Sequence, residues 1–576
     1  MTKAKATLIG LNHRCRNHEV NGVLKFWQHE LVGDEVTSLK FKNEPKEKSE
    51  SRDLDSYKIK FMNKKPESTW SNTKRFLFGL ACLATLIALF YAEEDWRGWH
   101  AWNKFKHQWE AKGERFDAAS AIPPAVPDNQ NFALTPIVAS SYSFALDKNG
   151  HEIRPQLTNV VNRLKMAIVH NDDTVKDGVG NWQKSTMSDL KLWQQYYREQ
   201  AAKTNDFPVA SQPQSPADDV LLALSKYDSN IEELRQASQL PYSRFPVEYD
   251  KENPWAILLP HLAALKRCSQ VLQLRAIAEL QNGQSEKAME DVKLSLRLTD
   301  SIHTEPFLIS HLVRIAIVSI ALQPVWEGLV EHKWSDAQLL ELDRELARLD
   351  FLTDYKLAMH CELVLGHAGT FDYLRRHPGQ LPNLLSESGE SGHSSSLPAR
   401  ILCRLIPGGW LYQNQLRCAR PVVELYLPLV DVNQRIVSPT AARHADATVE
   451  ADTKHPGLYN IAEKIFLPGL GAAIKRFAQG QESADLARVA IALERCRLAH
   501  GEYPESLNVL APQFVAKLPH DIINGQPLNY RCNADGRFVL YSIGWNETDD
   551  DGEIGLKEDG SVDRDTGDWV WRYPTK

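Results

Sequence analysis

The sequence predicts a mainly α protein: a single N-terminal transmembrane helix, an external all-α domain with helical hairpins, and a small C-terminal α+β headpiece. Three observations predict it. One uncharged apolar run, Phe76 to Ala92, stands near the N-terminus. Apolar residues recur at helical spacing from about Asp218 to Gly366. Prolines, glycine turns and short apolar runs crowd the chain after Gly501. With 576 residues the chain exceeds one ordinary hydrophobic core, so two or three folded units are expected.

Residues 1–74 form a basic head, partly disordered and cytoplasmic. Net charge is −7 overall and +6 before residue 76, hence −13 beyond it, with no charge between 76 and 92. An acidic body argues against nucleic acid as the main partner. The stretch from Met62, "MNKKPESTWSNTKRFLFG", itself reads as a basic cytoplasmic start, so residues 1–61 are either a head or an over-extended beginning. Residues 75–92 are the anchor. The 17 uncharged residues reach roughly 25 Å, near the lower limit for a bilayer. Lys74 and Arg75 precede them; Glu93, Glu94 and Asp95 follow. The positive-inside rule puts the N-terminus in the cytoplasm and the body outside the inner membrane, in the periplasm. Phe90 stands where a signal-peptidase site needs a small residue, which favours an uncleaved single-pass anchor.

Residues 93–215 are a juxtamembrane helix and a proline-rich connector. Trp96, Trp99, Trp102, Phe105 and Trp109 recur every three or four residues. They form either an aromatic belt at the membrane surface or a face packed on the body. Four prolines in residues 121–136 favour extended structure. Residues 216–456 are a helical domain with a turn-rich insertion over 367–455, where Ser386–Ser396 is expected to be disordered. Ala276, Leu280, Gly283, Ala288, Val292 and Leu296 fit a helical hairpin turning at Asn282–Gly283. It looks like one tetratricopeptide-type unit, but lacks a second copy at the required period, so a plain antiparallel pair is the better reading. Phe307–Trp326 is apolar but contains His311 and Arg314, so it reads as a buried helix and not a second span. Residues 457–576 hold a helix and a β-rich module.

Recognised chemistry is sparse. The chain has no phosphate-binding P-loop, G-x-S-x-G elbow, H-E-x-x-H helix or paired C-x-x-C. His360 and His367 lie two ideal helical turns apart with Glu362 between them, a possible zinc constellation in which Glu362 points elsewhere. His303, Glu305 and His311 form a weaker set, interrupted by Pro306. Of eight cysteines, Cys403 and Cys418 bracket a turn-rich segment. An oxidising compartment would permit a bridge there; free buried thiols are the alternative.

Residues 486–555 resemble the headpiece of the major pseudopilins of type II secretion. The resemblance rests on "G-x-Y-P" at Gly501, Tyr503 and Pro504, on Leu518 and Pro519, on Asp521, Gly525, Pro527 and Tyr530, and on the strand end at Tyr541, Ser542 and Gly544. The anchor lacks a pilin's processing glycine and adjacent glutamate, so the whole chain is not a pseudopilin. The W-R-G-W segment, helical middle and this ending also resemble large membrane-anchored bacterial proteins of planctomycete and verrucomicrobial type, a resemblance that brings no activity. In pseudopilin headpieces the loop after the last strand binds calcium. The resemblance therefore implies a calcium site from Asn546, Asp549, Asp550 and Asp551, completed by Asp563, Asp565 or Asp568 of the tail. A solvated acidic cap is the alternative. Two functions follow as expectations: a non-enzymatic anchored protein binding another envelope component, or a metal-dependent envelope hydrolase.

Overall fold

The computed structural model describes residues 72–574, apart from 143–144, 147–151, 154–161, 171–172, 176–177, 205, 383–396, 456 and 534. The basic head and the expected disorder at 386–396 lie outside the described residues. Helix accounts for 61% and strand for 7%, so the mainly α expectation holds.

The expected anchor lies in one unbroken helix, Asn72–Glu110, a candidate membrane span by length and composition and called the anchor helix below. Its most apolar stretch is wholly exposed. Beyond residue 92 it plunges into the body, and the aromatic stripe splits accordingly. Trp102 and Phe105 are buried against Phe116, while Trp96 and Trp99 remain exposed. The face-packing reading of the stripe therefore holds for Trp102 and Phe105.

Two glycines set the docking of this helix. A Cβ on Gly98 would lie 2.2 Å from the Gly409 carbonyl oxygen, and one on Gly409 would lie 1.9 Å from the Glu94 oxygen. The anchor helix thus crosses the Gly408–Pro421 helix backbone to backbone. Polar bonds complete the crossing. Asp95 accepts the Gly409 N–H at 2.7 Å, and buried Glu94 accepts from Arg97 at 2.7 Å and from the Trp410 indole at 2.9 Å.

The predicted hairpin is present as Pro260–Gln281 and Ser285–Asp300, with Gly283 at φ +70° closing the turn. Ala276 and Ala288 are fully buried, which permits close approach. An ion cluster ties this hairpin to the Asp228–Ala237 helix: Asp291 accepts from Arg275 at 2.9 Å and from Arg235 at 2.8 Å. Burial, and then the charge of Asp291, push the neighbouring Glu279 up to about 8.

Leu308–Val330 is the second helix long and apolar enough to cross a membrane among the described residues, but 61% of its apolar window is buried in the body. Its buried polar residues serve the core. Arg314 donates to Asp354 beside fully buried His311. Gln323 accepts the Trp182 N–H at 2.6 Å, and Glu327 accepts the Ser188 N–H at 3.0 Å. The expected buried helix is what forms.

The central helix, Pro468–His500, is almost entirely buried. It starts with Pro468 in the first turn and stops at Gly501, whose φ of +88° caps the end. The helices Leu308–Val330, Asp336–Leu346, Phe351–Cys361 and Pro439–Thr453 surround it. One apolar core runs from Trp102 to Trp571 around this axis, flanked by smaller clusters under residues 132–317 and 190–278. The C-terminal module is a three-stranded antiparallel sheet in the order Asn529–Cys532, Phe538–Ser542, Trp569–Arg572, with a hairpin of Ile554–Leu556 and Val562–Gly567. Leu540 pairs with both Tyr530 and Trp571, so the middle strand is buried along its whole length.

Two expectations need correction. Residues 367–455 are not chiefly turns: they carry the helices Thr370–Arg376, Gly408–Pro421 and Pro439–Thr453. Pro407 and Pro439 start the latter two helices, for proline is tolerated in a first turn and disruptive only further in. Cys403 and Cys418 are both free. They sit on different helices, and Cys418 is fully buried with Phe371, Leu374, Leu411 and Ala462.

Candidate functional site

The acidic loop was the sequence's leading site. Its carboxylates are engaged by protein groups. Asp549 accepts the Tyr541 hydroxyl at 3.2 Å and the Asp551 N–H at 3.0 Å. Asn546 donates to Asp550 at 2.7 Å, and exposed Asp551 pairs with Arg531. Asp563 and Asp565 do not reach the loop. They lie on the Val562–Gly567 strand, where Asp563 accepts from Thr566 at 3.0 Å and Asp565 pairs with Lys475. The tail residue that ties back is Asp568, which accepts the N–H groups of Gly552 at 2.7 Å and Asp550 at 3.2 Å. Among the described residues no group of three His, Cys, Asp or Glu is arranged to hold a metal ion.

Asp568 is buried, and burial pushes its carboxyl up to about 6. The two backbone N–H groups oppose that rise, and Asp550 and Asp549 add to it. A raised folded-state value means that the folded form binds the proton more tightly. Asp568 therefore contributes less stability as pH rises from about 4 to about 6, and nothing further changes above that. Asp568→Ala leaves the buried Gly552 N–H and the half-buried Asp550 N–H without their acceptor and is expected to cost about 2 kcal/mol. Asp568→Asn keeps an acceptor and should lose much less, and should remove that pH dependence. Thermal unfolding at pH 4.5 and 7 measures both; equal midpoints for Asp568→Ala and the parent would exclude the clasp. Repeating the scan with about 1 mM calcium and with chelator tests calcium in the same loop. A rise lost in Asp549→Ala supports the ion, and equal midpoints exclude it.

The histidine sets also disperse. The helix carrying His360 widens into a π-type segment over Glu362–Gly369, so the ideal two-turn spacing that would align His360 and His367 is lost. His360 Nε2 lies 2.8 Å from the Ser120 hydroxyl. His367 is buried against Phe466, and burial lowers it to about 4. Burial pushes Glu362 up to about 7. In the other set, Glu305 faces neither His303 nor His311: it lies 2.7 Å from His261 and accepts the Ser310 hydroxyl at 2.7 Å.

The densest polar constellation was not singled out from sequence. Glu494, on the central helix, accepts from Arg497 at 2.8 and 2.7 Å and from the Tyr503 hydroxyl at 2.7 Å. His332 Nδ1 lies 2.9 Å from its other oxygen, and the Tyr573 hydroxyl stands 2.5 Å from that of Tyr503. Three distant pieces of chain meet there: the end of Leu308–Val330, the Gly501 turn and the last strand. Burial alone would raise the Glu494 carboxyl, but the bonds from Arg497, Tyr503 and His332 hold it below its ordinary value. The adjoining cavity, lined by Trp326, Leu329, Phe538 and Trp571, has room for about one water. The constellation is a latch joining the module to the body, too tight for a substrate. A second buried set sits one face away. Glu482 accepts the Ile522 N–H at 3.1 Å, Asp485 accepts from Arg435 at 2.8 Å, and Asp521 accepts the N–H groups of Ile523 and Ile543 at 2.8 and 3.0 Å. The acids at positions 482, 485 and 494 of this helix were the available signal. Periodicity cannot tell such acids from a solvated face.

The pseudopilin-like positions act as local turn chemistry. Gly501 and Gly525 take positive φ, Tyr530 donates to the Pro504 carbonyl at 2.7 Å, and Asp521 organises its own turn. No known protein family, curated protein or solved structure matches the chain.

Proposed function

We propose that the protein is a single-pass, membrane-anchored envelope protein whose external helical body and C-terminal module bind another envelope component and catalyse no reaction. The observation that carries this reading is the anchor helix itself. Its first half is apolar and wholly exposed, and its second half is locked into the body by Gly98, Glu94 and Asp95. An exposed apolar helix of this length is stable only in lipid or against a partner. A helix continuous from membrane to core holds the body at a fixed height and angle, which suits presentation of a binding surface better than a tethered, freely turning domain.

Alkaline phosphatase fused after Lys576 of the full chain is expected to be active, and the fusion should stay with membranes after alkaline carbonate washing. Release by carbonate would overturn the anchor. A stable but inactive fusion would reverse the topology. Binding is tested by cross-linking in native membranes followed by purification of the tagged chain: a partner recovered with the intact chain, and lost when the body is deleted beyond residue 110, supports the reading.

A further inference from the structure

The geometry points to a second membrane contact beside the anchor: the face formed by the end of the Leu397–Arg404 helix and the residues after it lies in the lipid interface. The inference rests on reading Phe76–Ala92 as the span. Ile401, Leu402 and Leu405 are 50, 66 and 60% exposed, more than a folded body ordinarily leaves to water in three large apolar residues so close together. Their height is set by the anchor. Tyr91, at the end of the span, donates its hydroxyl to the Leu405 carbonyl, and the neighbouring Phe90 ring meets Trp410 edge-on at 6.5 Å. A bilayer that encloses residues 76–92 must therefore also meet Leu405.

The patch continues outward along the same helix. Trp96 and Trp99 are 63 and 50% exposed, one to two turns beyond Tyr91, at headgroup depth. Leu458 is 59% exposed at the same level, where its carbonyl accepts from Asn414 and its neighbour Tyr459 donates to Glu94. Exposed Arg404 follows Leu402, the arrangement of a basic side chain that keeps its charge in the headgroups while its stem lies on apolar surface. The occupant is lipid and not a protein partner because the patch is continuous with the helix read as the span and is tied to its end at Phe90 and Tyr91.

The full chain carries convenient reporters. Cys82 is exposed in the anchor and Cys532 is exposed on the β module. Single-thiol forms keep Cys82, keep Cys532, or carry Leu402→Cys or Leu405→Cys, with the other accessible thiols replaced by serine. Each is labelled with a fluorophore and reconstituted in phosphatidylcholine vesicles bearing acyl-chain nitroxides. The expected result is a loss of fluorescence at 402 and 405 of the same order as at 82, and none at 532. Quenching at 82 with 402 and 405 behaving like 532 would overturn the interfacial contact and leave the anchor standing. No quenching at 82 would remove the anchor, and this inference with it.

Discussion

Glu494→Ala is expected to cost about 2–3 kcal/mol, because it leaves the Tyr503 hydroxyl and the half-buried Arg497 without their shared acceptor. The loss should appear first where the last strand meets the end of the central helix, since Tyr503 and Tyr573 are tied to that end by this carboxylate. Glu494→Gln keeps the shape and one acceptor, and should cost about 1–2 kcal/mol. The pH dependence has a definite sign. The folded carboxyl is held below its ordinary value, so its contribution is full above the unfolded value and is lost as pH falls through the folded one. The stability gap between the parent and Glu494→Gln should therefore hold at pH 7 and narrow below about pH 4. Denaturant titrations followed by tryptophan emission report both quantities. A Glu494→Ala midpoint equal to the parent's would show that the latch does not hold the module.

Gly409→Leu is expected to force the anchor helix off the body. Even a methyl group at this position would meet the Glu94 carbonyl at 1.9 Å, and neither backbone can give way without moving a whole helix. Overpacking of this kind costs about 1–3 kcal/mol or more. The matched control is Gly79→Leu in the exposed apolar half, where an added Cβ meets nothing within 4 Å and stability should change by less than about 0.5 kcal/mol. Thermal midpoints and tryptic cleavage at Lys112, just past the end of the anchor helix, read the difference. Equal cleavage rates in the two variants would refute backbone contact as the lock.

Several features were legible without the fold because they depend on local chemistry. The apolar run marked a candidate span, since length and composition alone decide whether a helix can reach across a bilayer. The hairpin turn at Asn282–Gly283 was readable because a left-handed residue between two periodic segments leaves few alternatives. Arg314 and His311 correctly demoted Leu308–Val330 to a core helix, because an arginine in lipid is costly wherever the chain goes.

Other features needed the tertiary structure because they join residues far apart in the chain. Gly98 and Gly409 are unremarkable singly, and only their crossing makes each irreplaceable. The same holds for Glu494, which became a junction when His332, Tyr503 and Tyr573 arrived from three separate segments. The carboxylates of the acidic loop were visible by composition, but their partners were not: Asp568 found two backbone N–H groups and Asp565 found Lys475. By itself the sequence determined where the chain becomes apolar, where it turns and which helices have a buried face. The tertiary structure decided which buried charges meet, because an acid inside a helix carries the same local signature whether it faces water or a distant arginine.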